Sequence, residues 1–115
     1  MVEYVGVANV KEFAMPNLPI AKRTFMIDKD GNHQLEVAIY APVVDRDDFR
    51  CEYEITDQGK IVKGGYALGV DTLQAMILAL QKVGADIVYS DYGRERKLYW
   101  NDQNDDLGLL LPRGL

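Results

Sequence analysis

The stretch Gly69–Ile87, GVDTLQAMILALQKVGADI, decides the fold. Its apolar residues Leu73, Met76, Ile77, Leu80, Val83 and Ile87 recur at spacings of three and four, the period of one helical face. On that reading this face is the core side of a long amphipathic helix. Gln74, Leu78 and Gln81 are left along the other flank, where a partner would touch it. Asp71 supplies an N-cap, and Gln74 three residues later completes a capping-box pattern. The helix ends either at Gly84 or further on, at Tyr89.

Upstream of the helix the period is two, and the segments read as strands. Phe49, Cys51, Tyr53 and Ile55 alternate with Arg50, Glu52, Glu54 and Thr56, which places one face on a core and the other in water. Ile20–Asp28 alternates in the same way, with Ala21, Arg23, Phe25 and Ile27 on one side. His33–Ala41 follows, with Leu35, Val37 and Ile39 inward. Ile61–Ala67 is a weaker strand, loosened by Gly64 and Gly65. DKDGN at Asp28–Asn32 and DQGK at Asp57–Lys60 are turns, and Gly31 is suited to positive φ in the first. Pro42–Asp48 reads as an acidic loop, Tyr92-Gly93 as a second loop and Glu95–Trp100 as a last strand. The apolar tail after Asn101 covers an edge of the core. The fold class is therefore α+β: an antiparallel β-meander of four to six strands with one main α-helix packed on one face. Residues 20–115 form this single domain. Residues 1–19 form an arm or an extra strand, rich in valine and closed off by Pro16 and Pro19.

The totals narrow the function. The chain has 115 residues and a formal net charge of -5. Nucleic acid is bound through Lys and Arg, so an acidic chain is a poor generic binder of it. No apolar run approaches the about 20 residues of a membrane span. No basic, apolar leader opens the sequence. A single cysteine, Cys51, permits no intrachain disulfide and fits a cytoplasmic protein.

Catalytic constellations are absent from the pattern. His33 is the sole histidine and Cys51 belongs to the core face of another strand, where a thiol is an inert small hydrophobe. Asp28, Asp30 and Asn32, and again Asp102, Asn104 and Asp106, match only fragments of a calcium loop, so turn chemistry accounts for both. One cysteine and one histidine cannot supply a zinc site. No dinucleotide or Walker loop is present, and Asp71 already occupies the helix N-terminus where a phosphate would sit. The reading assigns no metal, no cofactor and no catalytic residue. Glu36, Glu52 and Glu54 form an outward lattice with Lys22, Arg50 and Lys63, flanked by Tyr40 and Tyr66, a surface suited to a partner. Tyr92–Trp100, YGRERKLYW, reads as an edge strand with Leu98 and Trp100 inward.

Several pieces together resemble a known family. They are AKRTF at Ala21–Phe25, GVDTLQAMILAL at Gly69–Leu80, VGAD at Val83–Asp86, and Trp100 followed by DLG at Asp106–Gly108. They are similar to a family of small bacterial domains of unknown function. The resemblance implies a bacterial, cytoplasmic origin and a compact α+β domain, and it carries no activity or catalytic residue. It draws interest to Arg23, which shares a face with Phe25 and Ile27. An inward arginine needs partners. Asp71, Asp86 or Asp106 would make it a clamp between sheet and tail, and a ligand would make it an anion site.

Two functional classes follow. The first is a non-enzymatic protein-interaction or accessory module, immunity-like or homodimeric, that binds another protein or itself through Tyr40, Gln74, Leu78 and Gln81. The alternative is a small-ligand, anion-binding or enzyme domain that uses a cleft between helix and sheet. Arg23, Arg94, Arg96 and Trp100 would line that cleft.

Overall fold

The structure is a computed structural model and describes residues 18–28, 32–95 and 97–111. The alternating segments become strands β1 (Ala21–Ile27), β2 (Gln34–Ile39), β4 (Asp48–Asp57) and β5 (Lys60–Gly69). These four are antiparallel neighbours in that order, a meander in one six-stranded sheet. Two short strands complete it. β3 (Val43–Asp45) folds against the start of β4, and β6 (Leu98–Tyr99) joins the outer side of β1. The long helix is α1 (Thr72–Val88), and it lies over β5 and β4. The α+β class and the single main helix on one face are as the sequence predicts.

Alternation sets which side of the sheet is covered. Phe25, Leu35, Cys51, Tyr53 and Ile55 are buried beneath α1 and the tail, with Ile87 and Leu98 closing the cluster. Glu36, Glu52 and Glu54 stand on the opposite, open face, as expected. There Lys22 pairs with Glu36 at 3.6 Å and Arg50 with Glu52 at 2.9 Å. Lys63 does not join them. The pairing of β4 with β5 slips between Ile55 and Thr56, so Ile55 faces Lys63 while Thr56 faces Ile61. Val62 is the extra residue of this β-bulge, and Lys63 lies on the helix side. The Asp57–Lys60 turn closes with Gln58 and Gly59 both at positive φ (54° and 82°), the two-residue hairpin geometry that matches strand twist.

α1 is rotated relative to the face that its large residues mark. The buried stripe is Ala75, Ala79, Val83, Gly84 and Ile87, whereas Leu73 is 64% exposed and Ile77 40%. Close approach is the physical reason. A Cβ on Gly69 would lie 2.3 Å from the Ala75 backbone nitrogen, so the helix backbone presses against the end of β5. The small side chain of Ala75 suits that close approach. Met76 and Leu80 pack at the margin of the core, and the bulkier Leu73 and Ile77 are left outside.

The cap at the start of α1 is as predicted. Asp71 accepts from the Gln74 backbone nitrogen at 2.7 Å, and the Gln74 side chain accepts from the Val70 nitrogen at 2.7 Å. At the other end α1 runs through Gly84 to Val88, with Tyr89 as C-cap. Gly84 instead makes room for the tail, since a Cβ there would stand 2.1 Å from the Leu110 carbonyl oxygen.

Three local expectations change. Pro42–Asp48 contains β3, because Arg50 reaches back to Asp45 at 2.9 Å and holds that hairpin. Tyr92-Gly93 lies in a short helix, α2 (Asp91–Arg94), capped by Ser90, and the last strand shrinks to Leu98–Tyr99. Residues 1–17 of the predicted arm at 1–19, residues 29–31 of the first turn, Arg96 and the last residues of the tail, 112–115, fall outside the described residues.

Candidate functional site

Arg23 and Trp100, two of the four residues assigned to a ligand cleft, do come together. The Arg23 guanidinium lies over the Trp100 ring at 4.0 Å from its centroid. Its Nη1 donates to the Leu107 carbonyl at 3.1 Å and to the Gly108 carbonyl at 2.7 Å. The clamp between sheet and tail is real, but its acceptors are backbone carbonyls and not the carboxylates expected. Those carboxylates are otherwise engaged. Asp71 caps α1, Asp86 accepts from the Tyr53 hydroxyl, and Asp106 accepts from the Gly108 nitrogen at 2.9 Å. Arg94 is exposed on α2, and among the described residues no hydrogen bond or ring contact joins it to Arg23 or Trp100. An apolar groove of about 270 Å³ runs beside the clamp, lined by Val37, Ile39, Leu80, Val83 and Leu109.

A polar cleft lies elsewhere, at the C-terminal end of α1, and it has a volume of about 460 Å³. Leu35, Ile55 and Ile87 form its floor, and the β5 bulge lends Val62 and Lys63 as one wall. Asp86 and Ser90 from α1 and its end, Asp91 and Tyr92 from α2, and Lys97 form the rest. Two tyrosine–carboxylate pairs organise its surroundings. Tyr53 donates to Asp86, and Tyr92 donates to Asp57. Asp57 also accepts from His33 Nε2 at 2.6 Å. The Tyr92 bond, offset in part by burial and helped by His33, holds the Asp57 carboxyl below its usual range. Tyr92 is pushed up to about 12, first by the bond to Asp57 and then by burial.

The His33–Asp57–Tyr92 network ties the turn before β2, the end of β4 and α2 together. Sequence reading left all three apart, because the signal is a juxtaposition of residues separated by 24 and 35 positions. Cys51 is fully buried, its thiol donates to the Tyr40 carbonyl at 3.3 Å, and burial pushes it up to about 11. A thiol so held is not a nucleophile at neutral pH.

The predicted interface residues occupy two places. Gln74, Leu78 and Gln81 lie on the outer side of α1, next to the exposed Leu73 and Ile77. Tyr40 lies on the open sheet face, where its hydroxyl donates to Glu54 at 2.8 Å. Burial first, then that bond and the neighbouring glutamates, push Tyr40 up to about 12.

The sequence model of the family described as Domain of unknown function (DUF6968) matches residues 21–111, and the chain belongs to this family. Neither a curated protein nor a solved structure matches it. Membership agrees with the resemblance to a small domain of unknown function. Among the described residues no helix is long and apolar enough to cross a membrane.

Proposed function

We propose that the protein is a non-enzymatic interaction module of the bacterial cytoplasm, and that the outer face of α1 pairs with a second copy of the chain. One observation carries this reading. Leu73, Ile77 and Leu78 are 64%, 40% and 36% exposed, in two adjacent rows at i,i+4 spacing with Gln74 and Gln81 between and beyond them. Val70, before the cap, extends the patch and is 72% exposed. Contiguous apolar surface of this kind marks an interaction site more often than scattered single residues do.

The face suits a two-fold partner. Its five helical residues are all uncharged, so a chain of net charge -5 meets its copy there without direct like-charge opposition. Antiparallel packing about Ile77 sets Leu73 of one helix opposite Gln81 of the other. It also brings Asp71 at one end toward Lys82 at the other. Helices pack through i,i+4 ridges of this form. The test is the oligomeric state of the wild type and of Ile77→Glu. A concentration-dependent dimer lost in the variant supports the reading. A monomer at every concentration overturns it.

The polar cleft favours a second reading, a small-ligand domain. Its volume lies within the range of ligand sites, and Lys63, Asp86, Asp91 and Lys97 converge on an apolar floor. Thermal shift of the purified protein against amino acids and small carboxylates tests it. A shift abolished by Lys63→Met would support the cleft over the helix face, and no shift with any compound would count against it.

A further inference from the structure

On the side of the sheet away from α1, strand register builds a trough with an acidic centre. Glu54 of β4 faces Ala38 on one neighbouring strand and Gly64 on the other. Both neighbours are small, so the carboxylate stands in a hollow. In the next row Glu52 faces Tyr66 of β5, and the Tyr40 nitrogen bonds to the Glu52 carbonyl at 3.0 Å. The two tyrosines therefore flank that row on either side. The resulting hollow has a volume of about 360 Å³ and is lined by Tyr40, Glu52, Glu54, Gly64, Gly65 and Tyr66.

The charges on this face are unevenly matched. Glu36 has Lys22, and Glu52 has Arg50, which Asp45 also holds. Among the described residues no cation pairs with Glu54, whose recorded partner is the Tyr40 hydroxyl. That bond fixes one carboxylate oxygen beside an aromatic ring. Cations already stand near Tyr66: Arg50, held by Asp45 and Glu52, and Lys82, held by the Tyr66 carbonyl at 2.7 Å, lie 5.9 and 5.8 Å from its ring centroid. Both stand near the outer limit of about 6 Å for a cation–π attraction.

We infer that this trough receives an arginine side chain from a partner polypeptide, with the guanidinium paired to Glu54 and stacked against the tyrosine walls. Arginine fits better than lysine because its planar fork matches a carboxylate and its flat face matches an aromatic ring. The acidic chain as a whole favours approach of a basic segment. Gly64 is what keeps the trough open, whereas Gly65 faces the Tyr53 ring on the core side. A Cβ on Gly64 meets only the Tyr53 carbonyl oxygen, at 3.8 Å, so a side chain there would be accepted by the strand and would fill the hollow. Glu54 lies across the sheet from Leu73 and Ile77, with Lys82 at the border between the two surfaces, and the inference does not depend on self-association.

The test is a titration of the isotopically labelled full chain with N-acetyl-arginine amide, followed by amide chemical shifts. Saturable shifts centred on Gly64, Gly65 and Tyr66 are expected. Glu54→Gln should weaken binding about fivefold, the loss of one partly exposed ion pair. Gly64→Val should abolish it while leaving the spectrum folded. Ile77→Glu should leave it unchanged, which separates this site from the dimer face. The uncharged analogue N-acetyl-citrulline amide should not bind. Equal shifts with citrulline, equal affinity in Glu54→Gln, or shifts scattered over the surface would each overturn the inference.

Discussion

The guanidinium of Arg23 stacks on the indole of Trp100 at 4.0 Å and donates to two carbonyls of the tail. One side chain of β1 thereby fastens the C-terminal segment that lies along the sheet and over α1. Arg23→Ala should lower stability by about 2 kcal/mol, the sum expected of a half-exposed cation–π contact and charge-assisted hydrogen bonds. Arg23→Lys should recover only part of this, since an ammonium cannot stack and fork together. Trp100 is the sole tryptophan, so its fluorescence in the folded variants reports the clamp directly. Unchanged emission and unchanged urea midpoint in Arg23→Ala would refute the clamp.

Gly84 gives a prediction with an unusual sign. Replacing a glycine inside a helix by alanine ordinarily stabilises by about 1 kcal/mol. Here the added Cβ would meet the Leu110 carbonyl at 2.1 Å, a backbone atom that must move. Gly84→Ala should therefore destabilise, and its urea midpoint should fall below that of the wild type. A rise would show that the tail does not rest on the helix.

The cap predicts a smaller change. Asp71→Ala removes the acceptor for the Gln74 nitrogen and should cost about 1 kcal/mol, or roughly 5 °C in melting temperature. Thermal unfolding by circular dichroism measures it. No change would contradict the assigned start of α1.

Asp57 makes the stability depend on acid. Its carboxyl is held below the ordinary 3.8 in the folded state, chiefly by Tyr92 and then, against burial, by His33. A depressed carboxyl stabilises fully above its unfolded value, and the contribution fades as pH falls through the folded one. Asp57→Asn should thus be less stable than the wild type at neutral pH, and the gap should close below about pH 4. Tyr92→Phe should flatten the same acid limb more than His33→Ala does. Urea unfolding as a function of pH decides this, and a gap that widens toward acid would refute the assignment.

Much of the fold was legible because alternation and turn chemistry are local. Phe49–Thr56 shows its two faces in eight letters, and Asp71 with Gln74 announces a helix start. The rotation of α1 was not legible. Ala75 and Ala79 repeat at the same helical spacing as Leu73 and Ile77, and only the closeness of β5, set by Gly69, decides which stripe turns inward. The inward direction of Arg23 followed from its strand phase. Its acceptors did not, because backbone carbonyls carry no signature in the sequence. His33, Asp57 and Tyr92 meet only after two hairpins and the α1–α2 corner have formed. Lys63 lies on the helix side in phase with Gly65 and the buried Ala67, and the bulge at Val62 reconciles that phase with the Asp57–Lys60 turn, whose register would otherwise set Lys63 against Glu54.

We propose the apolar outer face of α1 as a contact surface and not a misplaced piece of core. Sedimentation equilibrium of the wild type and Ile77→Glu, from micromolar to millimolar protein, decides between the two. Because Ile77 is 40% exposed, the charge should leave the melting temperature nearly unchanged, within about 0.5 kcal/mol of stability. The wild type should pass from monomer to dimer with rising concentration, and the equally stable variant should stay monomeric. A wild type that remains monomeric throughout, or a variant that dimerises equally well, would rule out this contact.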